Sequence, residues 1–199
     1  MAANVSVTPG RWIGLGWSVF KEDVGNFILV ALIGLALMSF SAFVVTGPVL
    51  AGFCLVVRRR MLEGRIDLND LFTGFSHFID AFLISLLTAV FLLGGFALCI
   101  VPIFIVAGSY LFSYLFLVDR KLSFWDAMES SRKLAAQDLI GYTVFAALLT
   151  LLNVAGCFLF GFGLLVTVPV SVAAVAAAYK ETVGFAYQPV QSHGPIHIP

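Results

Sequence analysis

The sequence predicts an all-α integral membrane protein, a helical bundle of about six transmembrane helices arranged as three hairpins, each preceded by an interfacial amphipathic helix. Three observations carry this prediction. Of the 199 residues, 61% are apolar and only 11% charged, whereas a soluble domain needs about 25% charged residues to cover itself with polar surface. With a mean hydropathy of +1.05, the natural solvent is lipid. The 11 basic and 11 acidic residues cancel and sit in short clusters between long apolar runs. A neutral chain offers no electrostatic footprint for nucleic acid, so no nucleic-acid partner is expected.

Residues 1–8 lack a basic stretch followed by a short apolar core, so no cleavable secretory signal is expected and the first spanning helix directs insertion. Thr8-Pro9 opens the first amphipathic helix, with Ile13, Trp17, Phe20 and Val24 on one face and Arg11, Ser18, Lys21 and Glu22 off it. The apolar runs that follow cover residues 27–46, 48–57, 81–101, 103–118, 139–160 and 163–179. A hydrocarbon core of about 30 Å takes roughly 20 helical residues, and the first, third and fifth runs meet that length. The second has about ten residues before Arg58, or about fifteen if Arg58, Arg59 and Arg60 snorkel along the helix end; a tilted, partial or locally thinned crossing is expected there.

The runs pair into hairpins. Gly47-Pro48 and Val101-Pro102 mark the start of a second helix, since proline is tolerated at a first helical position. In the third hairpin Gly161-Phe162-Gly163 is the better turn, which puts Pro169 inside the last helix as a kink. The pseudo-repeats run over about 8–64, 65–121 and 122–183 within a single membrane domain, 1–183, and a flexible tail follows over 184–199. Two further amphipathic segments lead the second and third hairpins. Residues 67–80 place 68, 71, 72, 75, 78 and 79 on one face behind an Asp67 N-cap, and Ser123-Phe124-Trp125-Asp126 has the form of a capping box.

All 11 Lys and Arg residues lie in the N-terminal segment, between hairpins or just after the last helix, and none at a hairpin tip. The expected location is the cell (inner) membrane, multi-pass, with both termini cytoplasmic. Trp12, Trp17, Lys21, Arg58, Arg59, Arg60, Trp125, Arg132 and Lys133 are the candidates for contact with anionic lipid or a cytoplasmic protein partner.

The catalytic inventory is empty. The spanning runs carry no ionisable group of the kind ion-coupled transport uses; Asp80, Asp119 and Asp138 stand at helix ends and read as interfacial caps. Cys54, Cys99 and Cys157 lie in apolar runs without C-x-x-C spacing, His193 and His197 fall in a proline-rich tail, and no nucleotide or zinc motif occurs. No metal, cofactor or enzymatic activity is expected. Asn153, with Thr150 one turn earlier, is the most polar point in a spanning helix, and either bonds a neighbouring helix or lines a pathway. Small residues at Ala173, Ala174 and Ala176 to Ala178 let helices approach closely, within the chain or across a homo-oligomer.

Gly16-Trp17-Ser18-Val19-Phe20-Lys21, Gly47-Pro48 with Ala51-Gly52, Asp70-Leu71-Phe72-Thr73-Gly74-Phe75, Phe124-Trp125-Asp126-Ala127-Met128-Glu129-Ser130-Ser131-Arg132, and a proline-containing last helix ending in Tyr179 together cover most of the chain. In these features it resembles an uncharacterised family of bacterial multi-spanning membrane proteins similar to the membrane domain of glycerophosphoryl diester phosphodiesterases. The resemblance implies a six-helix integral protein and no catalytic residues. The leading functional expectation is a non-enzymatic, self-associating scaffold or assembly element. A transporter or channel for a small solute or lipid is the alternative, and a membrane-shaping hairpin protein a further one.

Overall fold

The computed structural model describes residues 7–41, 44–98, 100–158 and 163–186, with 37–41, 95–98 and 100–102 as backbone alone; these residues form helices and turns and no strand. Helix α1 (Pro9–Glu22) starts with proline in its first turn, as expected. Its buried stripe is Trp12, Gly16 and Phe20, so the face is rotated from the expected one and Trp17 is 44% exposed. The cause is Gly16: a Cβ there would meet the Val170 carbonyl at 2.7 Å and the Ala174 nitrogen at 2.6 Å, so the glycine lets α1 lie directly on the last helix. Close backbone approach, and not the largest side chains, sets which face turns inward.

Helices α2 (Val24–Ser41) and α3 (Thr46–Glu63) come next, and α3 ends at Gly64, whose φ of 71° suits glycine and whose N–H caps the Arg60 carbonyl. The second amphipathic segment is a short α4 (Asn69–Thr73) continued by a 3-10 turn (Gly74–His77) into α5 (Phe78–Leu98). Asp67 Oδ1 accepts from the Asn69 N–H at 2.9 Å, a cap placed one residue earlier than a standard one. Gly74 seats this segment on α3: a Cβ would run into the Gly52 nitrogen and the Pro48 carbonyl.

The fourth apolar run is broken. Helix α6 (Ile100–Ser109) gives way to a turn at Tyr110–Phe112 before α7 (Ser113–Arg120). Ser131 supplies what the break removes, its Oγ donating to the Ser109 carbonyl at 2.8 Å and accepting from the Phe112 N–H at 3.2 Å. A buried break needs such replacement partners. Ser131 belongs to α8 (Phe124–Ala135), opened by Ser123, whose Oγ accepts from the Asp126 N–H at 3.3 Å. Helices α9 (Leu139–Phe158) and α10 (Leu164–Thr182) complete the fold; Pro169 sits inside α10, and Asp138 Oδ1 accepts from the Gly141 N–H at 3.0 Å at the start of α9.

Helices α3, α7 and α10 lie inside, and α2, α5 and α9 surround them. Among the described residues, four segments are long and apolar enough to cross a membrane, Asn69–Gly94, Ile103–Arg120, Leu139–Phe158 and Leu164–Thr182, and Val24–Ala36 is a shorter apolar helix. Their buried share separates the layers, at 17% and 28% for the segments containing α5 and α9 against 44% and 56% for those containing α7 and α10. The outer helices present Leu29 and Leu32, Leu86, Val90 and Leu93, and Ile140, Leu151 and Phe158 outward. Apolar stripes of this extent suit lipid and not water. Each amphipathic segment packs on an inner helix: α1 on α10, α4 and its 3-10 turn on α3, and α8 on α7.

Candidate functional site

The charged ends of the three inner helices meet in a buried polar hub. Asp119, at the end of α7, has no exposed side-chain surface. Arg58 Nε of α3 donates to its Oδ1 at 2.6 Å, the Tyr179 hydroxyl of α10 to its Oδ2 at 3.2 Å, and the Ala186 N–H to Oδ2 at 3.0 Å. Arg58 Nη2 in turn donates to the Ala186 carbonyl at 3.0 Å, and Arg120 Nη2 to the Gly184 carbonyl at 3.1 Å. A desolvated carboxylate is tolerated only with this degree of pairing. The arrangement corrects two expectations. Asp119 is no interfacial cap, and Arg58 does not reach outward to lipid but is held in the hub with its side chain 17% exposed. Residues 184–186 are likewise packed against the hub; residues 187–199 of the expected tail, with His193 and His197, lie outside the described residues.

About one helical turn along the bundle from the hub, α3, α6, α7, α9 and α10 line an open-sided cavity of about 400 Å³. Tyr110 and Leu111 of the Tyr110–Phe112 break lie along it. Leu50, Leu111, Leu149, Val172 and Val175 form most of its wall, with Tyr110, Tyr114, Thr150, Asn153 and Ser171 as polar members and, among the described residues, no charged one. Those polar groups bond one another and the backbone. Tyr114 OH and Ser85 Oγ share a 2.8 Å hydrogen bond, and Thr150 Oγ1 donates to the Ala146 carbonyl at 2.9 Å. Asn153 Nδ2 donates to the Leu149 carbonyl at 2.8 Å and to Ser171 Oγ at 2.9 Å. The Leu149 carbonyl only accepts, which fixes the amide nitrogen on that side and leaves Asn153 Oδ1 buried without a partner. The cavity thus offers apolar wall with its polar groups largely spent internally.

The remaining sequence candidates divide. Trp12 is buried, donating from Nε1 to Glu181 Oε2 at 2.7 Å and packing edge-on to Phe145, so it belongs to the core and not to a lipid surface. Trp17 and Trp125 are exposed, with Lys21 Nζ 5.8 Å from the Trp17 ring centre. Arg59 pairs with Asp67 at 2.8 Å and Asp70 at 2.9 Å, and Arg60 with Glu22 at 3.3 Å. Arg132 and Lys133 share Glu129 at 2.8 Å and 3.4 Å on the open face of α8. The hydrogen bonds from Arg132 hold the Glu129 carboxyl below the usual carboxylate range. Thr150 and Asn153 are brought together at the cavity. Ala173, Ala174 and Ala176 to Ala178 are buried within the chain, where α10 meets its neighbours.

Sequence reasoning missed Asp119, Tyr179 and the cavity-lining Tyr114. The available signal was positional: Arg58, Asp119 and Tyr179 each stand at the charged end of the second apolar run of a hairpin. Among the described residues no cluster of His, Cys, Asp or Glu could hold a metal ion. Compared with known proteins, the chain matches no family model, no curated protein and no solved structure.

Proposed function

We propose that this protein is a multi-pass integral membrane protein that binds the apolar chain of a lipid-like molecule in the cavity between its inner helices, as a carrier or receptor and not as an enzyme. The cavity carries the reading: a space of about 400 Å³ falls in the range of small-ligand sites. Its walls lack charge, and the hydroxyls of Tyr114 and Thr150 and the Asn153 amide nitrogen already have partners, which disfavours an ion or a sugar and suits a hydrocarbon chain. The transporter alternative is favoured over the scaffold, because exposed apolar side chains are spread over α2, α5 and α9 and mark no single patch for self-association.

The same proposal includes six crossings as three hairpin repeats, termini on the charged side of the inner membrane, and a place beside the membrane domain of glycerophosphoryl diester phosphodiesterases. In support, the ion pairs Arg11–Glu181, Arg60–Glu22 and Arg58–Asp119 gather the charged segments at one end of the bundle. The test is photolabelling of the reconstituted protein with a diazirine-bearing fatty alcohol. Label is expected on Leu50, Leu111, Leu149 or Val172 and to fall severalfold in Val172→Trp, which fills the cavity. Label confined to the outward stripes of α2, α5 and α9, unchanged by that substitution, would show that no ligand enters.

A further inference from the structure

A second opening lies at the charged end, between α1, α3 and α10, with a volume of about 450 Å³. Leu15 and Val19 of α1, Met61 of α3 and Ala177 of α10 make its apolar floor, while Arg60, Lys180, Glu22 and Glu181 make its charged rim. Leu15, Val19 and Glu22 form one stripe of α1, on the other flank of its buried Trp12–Gly16–Phe20 stripe from the exposed Trp17 and Lys21. The charges do not balance. Glu181 is neutralised from outside the groove by Arg11 at 2.9 Å and also accepts from Trp12. Glu22 pairs with Arg60 at 3.3 Å, but its side chain is 64% exposed whereas that of Arg60 is 14% exposed, so the arginine is sheltered and its carboxylate is largely in solvent. Lys180 is exposed and, among the described residues, makes no hydrogen bond or ion pair. One uncompensated cation remains beside a sheltered guanidinium, above an apolar floor.

We infer that this groove binds the headgroup of a membrane phospholipid, its phosphodiester lying between Lys180 and Arg60 and its glycerol and first methylenes resting on Leu15, Val19, Met61 and Ala177. A phosphodiester carries one negative charge and two free oxygens, which matches one uncompensated cation and two donor groups. The apolar floor selects a lipid over soluble phosphate, because a free ion would leave that floor wet. The site is distinct from the inner cavity: both use α3 and α10, but they share no lining residue and only this one has a charged rim.

The experiment is native mass spectrometry of the full chain in detergent, titrated with phosphatidylglycerol and phosphatidylethanolamine, with diacylglycerol of the same chains and glycerophosphate as comparators. Lys180→Gln and Arg60→Gln are each expected to weaken phospholipid binding about tenfold, the value of one charge-assisted hydrogen bond. Val19→Trp, which blocks the floor and keeps every charge, should weaken it similarly. Lys133→Gln on α8 and the cavity-filling Val172→Trp should leave it unchanged, the latter separating this site from the inner cavity. Lys180 is exposed, so its substitution tests the site in a folded chain. Wild-type binding in both Lys180→Gln and Val19→Trp would overturn the proposal, as would equal binding of diacylglycerol. Displacement of the lipid by an equal concentration of glycerophosphate would assign the site to soluble phosphate and overturn its lipid identity.

Discussion

Replacing Asp119 by alanine tests whether the hub holds the inner helices together. The substitution leaves four groups without their acceptor: Arg58 Nε, now 2.6 Å from it, the Tyr179 hydroxyl at 3.2 Å, the Ala186 N–H at 3.0 Å and, at 3.4 Å, Nε of the 40% exposed Arg120. The two neutral donors cost about 1 kcal/mol or more each when left buried and unpaired. The orphaned Arg58 charge dominates, because its side chain is only 17% exposed; breaking such a buried pair from one side costs about 3–5 kcal/mol in all, and the terms are not additive. The double substitution Arg58→Met, Asp119→Leu removes the buried charge along with its partner and is expected to cost about 1–2 kcal/mol, set by Tyr179 and Ala186, since the half-exposed Arg120 that also loses its counterion stays solvated. Reversible unfolding in mixed micelles, followed by tryptophan fluorescence since Trp12 is buried between α1, α9 and α10, gives the three free energies. The reasoning fails if Asp119→Ala lies within about 1 kcal/mol of wild type, which would mean a solvated carboxylate, or if the double variant is as unstable as the single one.

Other expectations follow from the packing. Gly74→Ala drives a methyl into the Pro48 carbonyl and Gly52 nitrogen of α3 and should cost about 1–3 kcal/mol, whereas Gly10→Ala, with open space around it, should be neutral or slightly stabilising; thermal melts in detergent compare them. Ser131→Ala removes both bonds that splice the α6–α7 break and should destabilise by about 1–3 kcal/mol, with faster amide exchange at Phe112. A membrane-permeant maleimide should modify exposed Cys157 far faster than buried Cys54, which it reaches in the folded protein through the cavity that Cys54 lines; equal rates would contradict the interior placement of α3. The Glu129 carboxyl is depressed mainly by its hydrogen bonds from Arg132, so the pair's contribution is present above the ordinary carboxylate range and is lost as pH falls through the lowered value. Arg132→Gln should move the Glu129 titration upward, as carboxyl infrared bands or side-chain carbon shifts would report; an unmoved titration would place Arg132 elsewhere.

Signals that reside in adjacent residues were legible. Proline in the first turn of α1, the Ser123 cap of α8 and the apolar runs that become α5 and α9 depend only on local composition and spacing. What escaped the sequence depends on partners far along the chain. Trp12 looks like an interfacial anchor until Glu181, 169 residues away, takes its N–H. Arg58 reads as the end of a short crossing because its counterion is 61 residues on. The break at Tyr110–Phe112 carries no glycine or proline; it exists because Ser131, on another helix, replaces the missing backbone partners. Asn153 and Thr150 stand out in the sequence for polarity alone, whereas the cavity beside them is lined from the far side by Tyr110 and Leu111 of that same break.

The apparent shortness of the second apolar run has a related cause. Hydropathy measures how much lipid a helix must face, and an inner helix faces mostly protein. The segments containing α7 and α10 are 44% and 56% buried, and they tolerate a buried aspartate and an alanine-rich surface. The 18 residues of α3 span about 27 Å when counted through the arginines, close to a hydrocarbon core of about 30 Å. Arg58 can lie within that length because Asp119 neutralises it and the surrounding helices exclude lipid, so the run that stops at Val57 underestimates the helix. The proposed six crossings therefore need no thinned bilayer. They do need the turn residues 44–45 and 163 on the face opposite the charged hub. Single cysteines there should react with an impermeant reagent from outside the cell, and protection of both would leave the first and third hairpins as partial insertions.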